Sequence, residues 1–364
     1  MKQVEFPSVP HLGEPSSIIA HDADWQFPAI TERYAYDSVR EKLFYIEGVY
    51  YLAFPWATLI DLLNTGAEGR HALKRILSGL TQNIRKNARI ITVCQHIFFL
   101  KFKDVFFAAG VTDVFWSHAT NDMEEISQDG RTIRIYPLPL YPVQYPHAHI
   151  DEHENSRPLL FSFVGARANS WYLTNVRSLI IDDLKNHAGS FIAGRDNWHY
   201  NRVVYDHQIH AKVDGEKSQL VNQTASDEFR KVLQDSIFSL CPSGTGPNSI
   251  RLWESIGAGA IPVILSDTLK LPGDPSLWDI ASVRCKETEE DVMALPARLE
   301  TIAEDTDKLH QMRHALKQIW KLYGPQSFSY DVMKLWLEAA ATARHAPPDA
   351  ATESIAVKHP FLLR

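Results

Sequence analysis

The residues whose spacing carries the most chemistry lie between Phe238 and Asp267, FSLCPSGTGPNSIRLWESIGAGAIPVILSD. A strand-like run delivers the chain to a loop, Pro242, Ser243, Gly244, Thr245, Gly246 and Pro247. Glycines there let a backbone approach a ligand closely. A helix is expected to start near Asn248–Ser249, and its free N–H groups and positive dipole end suit an anion, phosphate above all. Arg251 and Glu254, three residues apart, share one face of that helix, with Ser255 beside them. A cation there can meet a diphosphate, and a carboxylate one turn on can accept hydrogen bonds from ribose or sugar hydroxyls. Gly257 and Gly259 end the helix, and Ile261–Leu265 returns as a strand. The loop is neither a Walker A nor a GxGxxG motif. Spacing alone therefore fits an ordinary strand–loop–helix connection with a surface Arg–Glu pair equally well.

Two other groups draw attention. His147, His149, Asp151, Glu152, His153 and Glu154 include an HxH pair flanked by carboxylates, a spacing that can hold Zn²⁺ or Fe²⁺. They have no cysteine partner and lie among prolines, so a polar linker is the expectation and no metal site is assigned. Cys241, next to the glycine loop, reads as a small buried residue rather than a nucleophile.

The elements that must position these residues follow from the hydrophobic pattern. Val49–Phe54, Arg89–Cys94, Val111–Trp116 and Arg131–Tyr136 read as strands, and leucines and Ile76 at spacings of three and four make 70–86 a helix. Residues 1–35 read as an irregular lead-in. Prolines 137, 139, 142, 146 and 158 mark a hinge. The pattern then restarts: a strand over Leu159–Val164, a helix over 171–185, a strand over Ser190–Gly194, a polar loop over 199–223, and a helix capped by Ser226. Strands at Ser236–Leu240 and Ile261–Leu265 and helices over 289–303 and 305–344 complete it, with a break near Gly324–Pro325. Strand–helix alternation of this kind builds parallel α/β sheets. We expect two such domains, 1–150 on the acceptor side and 151–340 holding the nucleotide, then a tail over 341–364. Ligands in such folds sit at the carboxyl ends of strands, here in the cleft between the domains.

Composition bounds the rest. A chain of 364 residues suggests two domains. Its net charge of −7 argues against a nucleic-acid partner, though two or three cations still suffice for a small anion. Cys94, Cys241 and Cys285 are far apart and odd in number, which suits a reducing compartment. With no signal-like or membrane-length apolar run, a cytoplasmic protein is expected, docked at most peripherally at the inner face of the membrane.

The run FSLCPSGTGPNSIRLWESIGAGAIPVILSDTLKLP resembles the signature of the exostosin family, glycosyltransferase family 47, closely over 236–272. The likeness extends less strictly to FSFVGARANSWYLTNVRSLI (161–180) and downstream to about 340. The resemblance implies the glycosyltransferase-B fold: two Rossmann-like domains facing a cleft. It implies inverting transfer from a nucleotide-sugar, a UDP-sugar above all, to a hydroxyl of a glycan or lipid-linked glycan, without a metal or other cofactor. By that resemblance Arg251 is the diphosphate cation and Glu254 the ribose or sugar ligand. Ser243, Gly244, Asn248 and Ser249 would add phosphate and hydroxyl contacts, with Gly165 and Arg167 after the first strand of the second domain. Arg177, on the following helix, points either into the cleft or to solvent.

Inverting transfer also needs a base. His118 after VTDVFW, His96 in VCQHI, and Asp122 in the loop beyond His118 are the candidates, each histidine fitting a structural role as well. Many family members have His-Asp or Asp where this chain has Ser-His-Ala, which leaves the base open. Other readings are a non-catalytic scaffold partner of another glycosyltransferase, or another sugar-nucleotide enzyme such as an epimerase or a pyruvyl transferase.

Overall fold

The computed structural model describes residues 16–345, except 28–29, 86, 146–149, 152–156, 197–201, 211 and 213–221. In the first half, β1 (Ile18–Ala20), β2 (Val49–Ala53), β3 (Arg89–Cys94), β4 (Asp113–Trp116), β5 (Glu125–Gln128) and β6 (Arg131–Pro137) form one sheet in the order β1-β2-β3-β4-β6-β5. All its pairs are parallel except β5–β6. Both faces are covered, by α2 (Trp56–Thr65), α3 (Gly69–Thr81) and α4 (Lys103–Ala108) on one side and α1 (Thr31–Val39) on the other. That is why RIITVC is apolar nearly throughout rather than alternating. The β5–β6 hairpin, absent from the sequence expectation, turns at Asp129 and Gly130, both at positive φ, as a two-residue Asp-Gly turn requires.

The second half holds β7 (Leu159–Ala166), β8 (Ser190–Arg195), β9 (Ser236–Pro242), β10 (Ile261–Leu265) and β11 (Val283–Arg284), all parallel, in the order β11-β10-β9-β7-β8. Around it lie α5 (Val176–Asp183), α6 (Gln223–Asp235), α7 (Ile250–Gly257), α8 (Pro275–Ala281), α9 (Glu289–Glu304) and α10 (Thr306–Tyr323). The structure starts α5 five residues later than the spacing suggests. It starts α6 three residues before Ser226: Asn222 is the cap, accepting from the Ala225 N–H at 3.1 Å. Within the loop expected over 199–223, residues 202–209 form an irregular helix.

The last helix, α11 (Tyr330–His345), leaves the second half. Phe328, Val332, Leu335, Trp336 and Ala339 share a core with Val39 of α1 and with Tyr51, Ile91 and Phe115 of the first sheet. A domain running unbroken to 340 is therefore corrected at its end. The chain crosses back because this apolar stripe completes the open face of the first core. The crossing segment between the sheets is pinned too: the Tyr141 ring stacks on Tyr34 at 3.5 Å and meets Phe328 edge-on.

Asp113, wholly buried at the start of β4, ties that strand to its neighbours β3 and β6. Its carboxylate accepts from Arg89 at 2.8 and 3.0 Å, Thr112 at 2.7 Å and Tyr136 at 3.1 Å, and pairs with Arg134 at 3.0 Å. Burial alone would raise its pKa, but the bonds from Arg89 and Thr112 bring it below the usual carboxylate value. Asp113→Ala leaves Arg89, mostly buried, and Arg134, half exposed, without that partner. It is expected to cost about 2–3 kcal/mol in urea unfolding, a figure reduced for their exposure.

Candidate functional site

At the carboxyl ends of β7 and β9, beside β10, two arginines come together. Arg251, in the first turn of α7, lies under the end of β7. Its guanidinium packs over the rings of Phe163 at 4.5 Å and Phe229 at 5.3 Å, and donates to the Val164 carbonyl. Arg177, on α5, comes in from the other side, over Tyr172 at 4.9 Å and Phe163 at 5.8 Å, with Nε donating to the Ser243 carbonyl at 2.7 Å. Both residues are buried, at 7% and 9% exposure. Among the described residues no carboxylate pairs with either, and Arg251 Nε has no hydrogen-bond partner. Burial, and then the neighbouring Arg177 charge, push Arg251 down to about 10; burial lowers Arg177 as well.

The walls of this pocket are backbone. A Cβ on Gly165 would lie 2.8 Å from Arg251 Nη2 and 3.4 Å from Arg177 Nη1; on Gly244 it would lie 3.4 Å from Arg177 Nη2. The guanidinium groups occupy room that depends on those glycines having no side chain. Two cations buried together, with no carboxylate in contact with either and only Glu254 acting on Arg251 through space, are expensive in the folded chain. Electrostatics of this kind are typical of a site that awaits an anion.

The other expected ligands are distributed differently. Ser243 is 2% exposed and donates to Glu287, which also accepts from Thr174 at 2.9 Å and from the Asp267 N–H at 3.3 Å. Glu287 had no distinguishing signal in the sequence. Ser249 sits at the N-cap of α7 with an extended backbone and makes no side-chain cap bond. Asn248 binds the opposite half instead: Nδ2 donates to the Ser117 carbonyl at 2.7 Å and Oδ1 accepts from Trp253 at 3.1 Å. Arg167 does not enter the pocket. It forms a bidentate pair with Asp182 at 2.6 and 2.8 Å, with both side chains about half exposed, because alternation along the end of β7 turns it outward.

Glu254, 1% exposed, caps the crossing segment: Oε1 accepts the N–H groups of Gln144 at 2.7 Å and Val143 at 3.3 Å. Burial outweighs those bonds and holds its carboxyl up at about 7, from an ordinary 4.5. Folding therefore favours the protonated form. That stabilisation is complete below pH 4.5 and is lost as the pH rises through 7. Glu254→Gln keeps an acceptor oxygen but not the charge. Its stability relative to the natural chain should rise by on the order of 2–3 kcal/mol between pH 4.5 and 7.5, read from melting curves across that range.

The candidate bases lie across the interface, where 119–121 pairs with 268–270. His118 faces the glycine loop, with Nδ1 accepting the Asn248 N–H at 3.4 Å and a backbone hydrogen bond to Gln95. Burial, then the neighbouring His96, drive it down to about 3, so it is neutral. His96 Nε2 lies 3.0 Å from Asp61, and its Nδ1 accepts the Phe98 N–H at 3.0 Å. Around that pair, Glu32 accepts from the Ala57 and Gln95 N–H groups, and Gln26 donates to Asp61. Asp122 is exposed on the loop after β4, and no hydrogen bond or ion pair joins its carboxylate to a described residue. His147, His149, Glu152, His153 and Glu154 lie outside the described residues, and Asp151 is exposed. Among the described residues no cluster has metal-ligand geometry, and no helix is long and apolar enough to cross a membrane.

Comparison with known proteins adds the family. A probable glucuronosyltransferase of Oryza sativa subsp. japonica is 38% identical over 74 residues, 20% of this chain and 17% of that protein. The exostosin-1 homolog of Caenorhabditis elegans is 24% identical over 209 residues, 54% of this chain and 51% of that one. The chain thus spans about half of the nematode protein and less than a fifth of the plant one. Among solved structures, an alpha-glucosyltransferase in complex with UDP aligns over 88% of this chain and 90% of its own, at 12% identity and a TM-score of 0.46. Sucrose-phosphate synthase from Thermosynechococcus elongatus aligns over 81% and 74%, at 11% identity and 0.43. The model of the exostosin GT47 domain matches residues 95–302, from the end of β3 to α9, a span that takes in both arginines and the glycine loop. The chain belongs to the exostosin GT47 family.

Proposed function

We propose that this protein is an inverting glycosyltransferase that uses a nucleotide-sugar donor, a UDP-sugar foremost, and a hydroxyl of a glycan or lipid-linked glycan as acceptor. The observation that carries this reading is the pair of buried, carboxylate-free guanidinium groups at Arg177 and Arg251, set against the glycine walls of a parallel sheet. In the reaction the acceptor oxygen attacks the anomeric carbon while the bond from that carbon to the diphosphate breaks. Charge grows on the departing diphosphate, and Arg251 and Arg177 stabilise it where water is excluded. No metal is needed if these cations and the α7 dipole suffice. Glu254 then holds the crossing segment in register and does not bind ribose directly.

For the proton of the acceptor hydroxyl we favour Asp122. Its carboxylate is unengaged, whereas His118 and His96 have both ring nitrogens occupied. In a thermal-shift screen of UDP, GDP, TDP and CMP, one nucleoside diphosphate should raise the melting temperature, and its sugar should then be hydrolysed or transferred. If none of the four binds, the donor-site reading fails. Binding without turnover would favour a scaffold role.

A further inference from the structure

The outer layer of the first half carries charge that the proposed transfer does not use. From Gly69 to Lys103 the chain has eight lysines and arginines and not one aspartate or glutamate, although the whole molecule is acidic, at −7. The stretch builds α3, β3, the turn after it and the first residue of α4. Three of its arginines are engaged. Arg70 caps the end of α2 through the Gly66 and Ala67 carbonyls, Arg85 reaches Glu47 at 2.8 Å, and Arg89 is held by Asp113. Lys74, Arg75 and Lys101 are exposed and Lys103 partly so. Among the described residues no carboxylate pairs with any of these four.

Apolar surface lies among the cations. Of the residues in α3 only Leu73 and Leu77 are buried, and Ile76 is 36% exposed next to Arg75. Phe98, Leu100 and Phe102 are partly exposed. Lys101 Nζ lies 5.4 Å from the centroids of both phenylalanine rings and donates to Asn64 of α2 at 2.6 Å.

We infer that this face docks the protein on an anionic lipid surface. Negatively charged headgroups attract clustered lysines and arginines, whose aliphatic stems lie along apolar surface, and isoleucine and phenylalanine suit the boundary between headgroups and acyl chains. A soluble polyanion fits less well, because the cations stand on the outside of a helical layer. The cavity of about 670 Å³ beside α3, lined by Gly69, Ala72 and Ile76, has Asp22 and Asp24 in its other wall, which would repel such a chain. The face also reaches the cleft. Ile97, which precedes Phe98, has its Cγ2 2.7 Å from where a Cβ of Gly246 would stand. Docking there sets the cleft beside the lipid surface. The inference does not rest on the donor reading, and its test needs no nucleotide.

The whole chain is sedimented with vesicles of phosphatidylcholine alone and of phosphatidylcholine mixed with phosphatidylglycerol. It should bind only the mixed vesicles and be released as salt is added, since exposed charges are screened. Lys74→Ala/Arg75→Ala should lower vesicle affinity about 10- to 30-fold, the weight of two cations at such a surface, with the melting temperature unchanged. Lys308→Ala/Lys321→Ala removes two exposed lysines of α10 in the second half and should leave the affinity within about twofold. Equal binding to both kinds of vesicle, or to neither, overturns the inference. So does anionic-vesicle binding that survives Lys74→Ala/Arg75→Ala, or that falls as far in the α10 variant, where overall charge would be the cause. Tighter binding of soluble dextran sulfate than of vesicles matched for negative charge also overturns it, in favour of a soluble polyanion.

Discussion

Replacing Arg251 with methionine is expected to lower sugar transfer by about 10²- to 10³-fold, the range lost when one preorganised donor to a developing charge is removed. The same change should leave the melting temperature of the ligand-free protein unchanged or higher. Methionine fills much of the same volume between Phe163 and Phe229 and relieves a cation that burial and Arg177 together disfavour. The lost bond to Val164 works the other way, but buried charges replaced by apolar side chains often give a neutral or favourable balance. Stability and activity therefore move independently, as they do where a site is held in readiness at the expense of the fold. Calorimetry with UDP, with melting curves alongside, separates the outcomes. If Arg251→Met melts several degrees lower and still turns over, the arginine is a structural prop and the pocket is misassigned. Arg177→Met should behave likewise. The double variant should lose less UDP affinity than the sum of the two, since both groups face one ligand.

Much of the scaffold behind this pocket was legible in the sequence, because parallel strands buried on two faces leave continuous apolar runs. Arg89–Cys94 and Ile261–Leu265 coincide with β3 and β10 to the residue, and α7 spans Ile250–Gly257 as its flanking serine and glycines suggest. The Asp129-Gly130 hairpin is equally written in the chain, as a dipeptide that favours positive φ, but its first strand, Glu125–Gln128, is too short and polar to show as a strand beside Arg131–Tyr136. The return of α11 was not legible: the stripe Val332, Leu335, Trp336, Ala339 announces a buried face but not which sheet buries it.

The same limit divides the arginines. Arg167 and Arg177 are both plausible phosphate ligands by position, and only the pleat of β7 and the phase of α5 send one to Asp182 and the other to Ser243. His118 shows the limit most sharply. A histidine at the end of a strand reads as a base, but the loop that packs against it comes from 130 residues away.

That packing predicts a different failure for Gly246→Ala. A Cβ at position 246 would stand 2.5 Å from His118 Nδ1 and 2.7 Å from Ile97 Cγ2, both in the first half of the molecule. Neither neighbour is the loose end of a flexible side chain. His118 is tied to the Asn248 N–H and to Gln95, and the Ile97 methyl sits on the branch at its Cβ. Relief must come from the glycine loop lifting or from the halves parting, at about 1–3 kcal/mol of strain. Either movement strains the Asn248–Ser117 bond and the pairing of 119–121 with 268–270.

The arginines, with Phe163 and Phe229 beneath them, belong to the second half and need not move. UDP affinity in the Gly246→Ala variant should thus stay within about threefold of the natural chain. Turnover should fall about 10²-fold, the cost of an ångström-scale misplacement of reacting groups. Gly244→Ala is the complementary case. Its added methyl would touch only Arg177 and Tyr172, inside the anion pocket, so UDP affinity should fall first. Measuring kcat and UDP affinity for both variants tests whether the two halves have separate tasks. If Gly246→Ala weakened UDP binding as much as Gly244→Ala does, the loop would serve the donor alone, and its contact with His118 would have no part in presenting the acceptor.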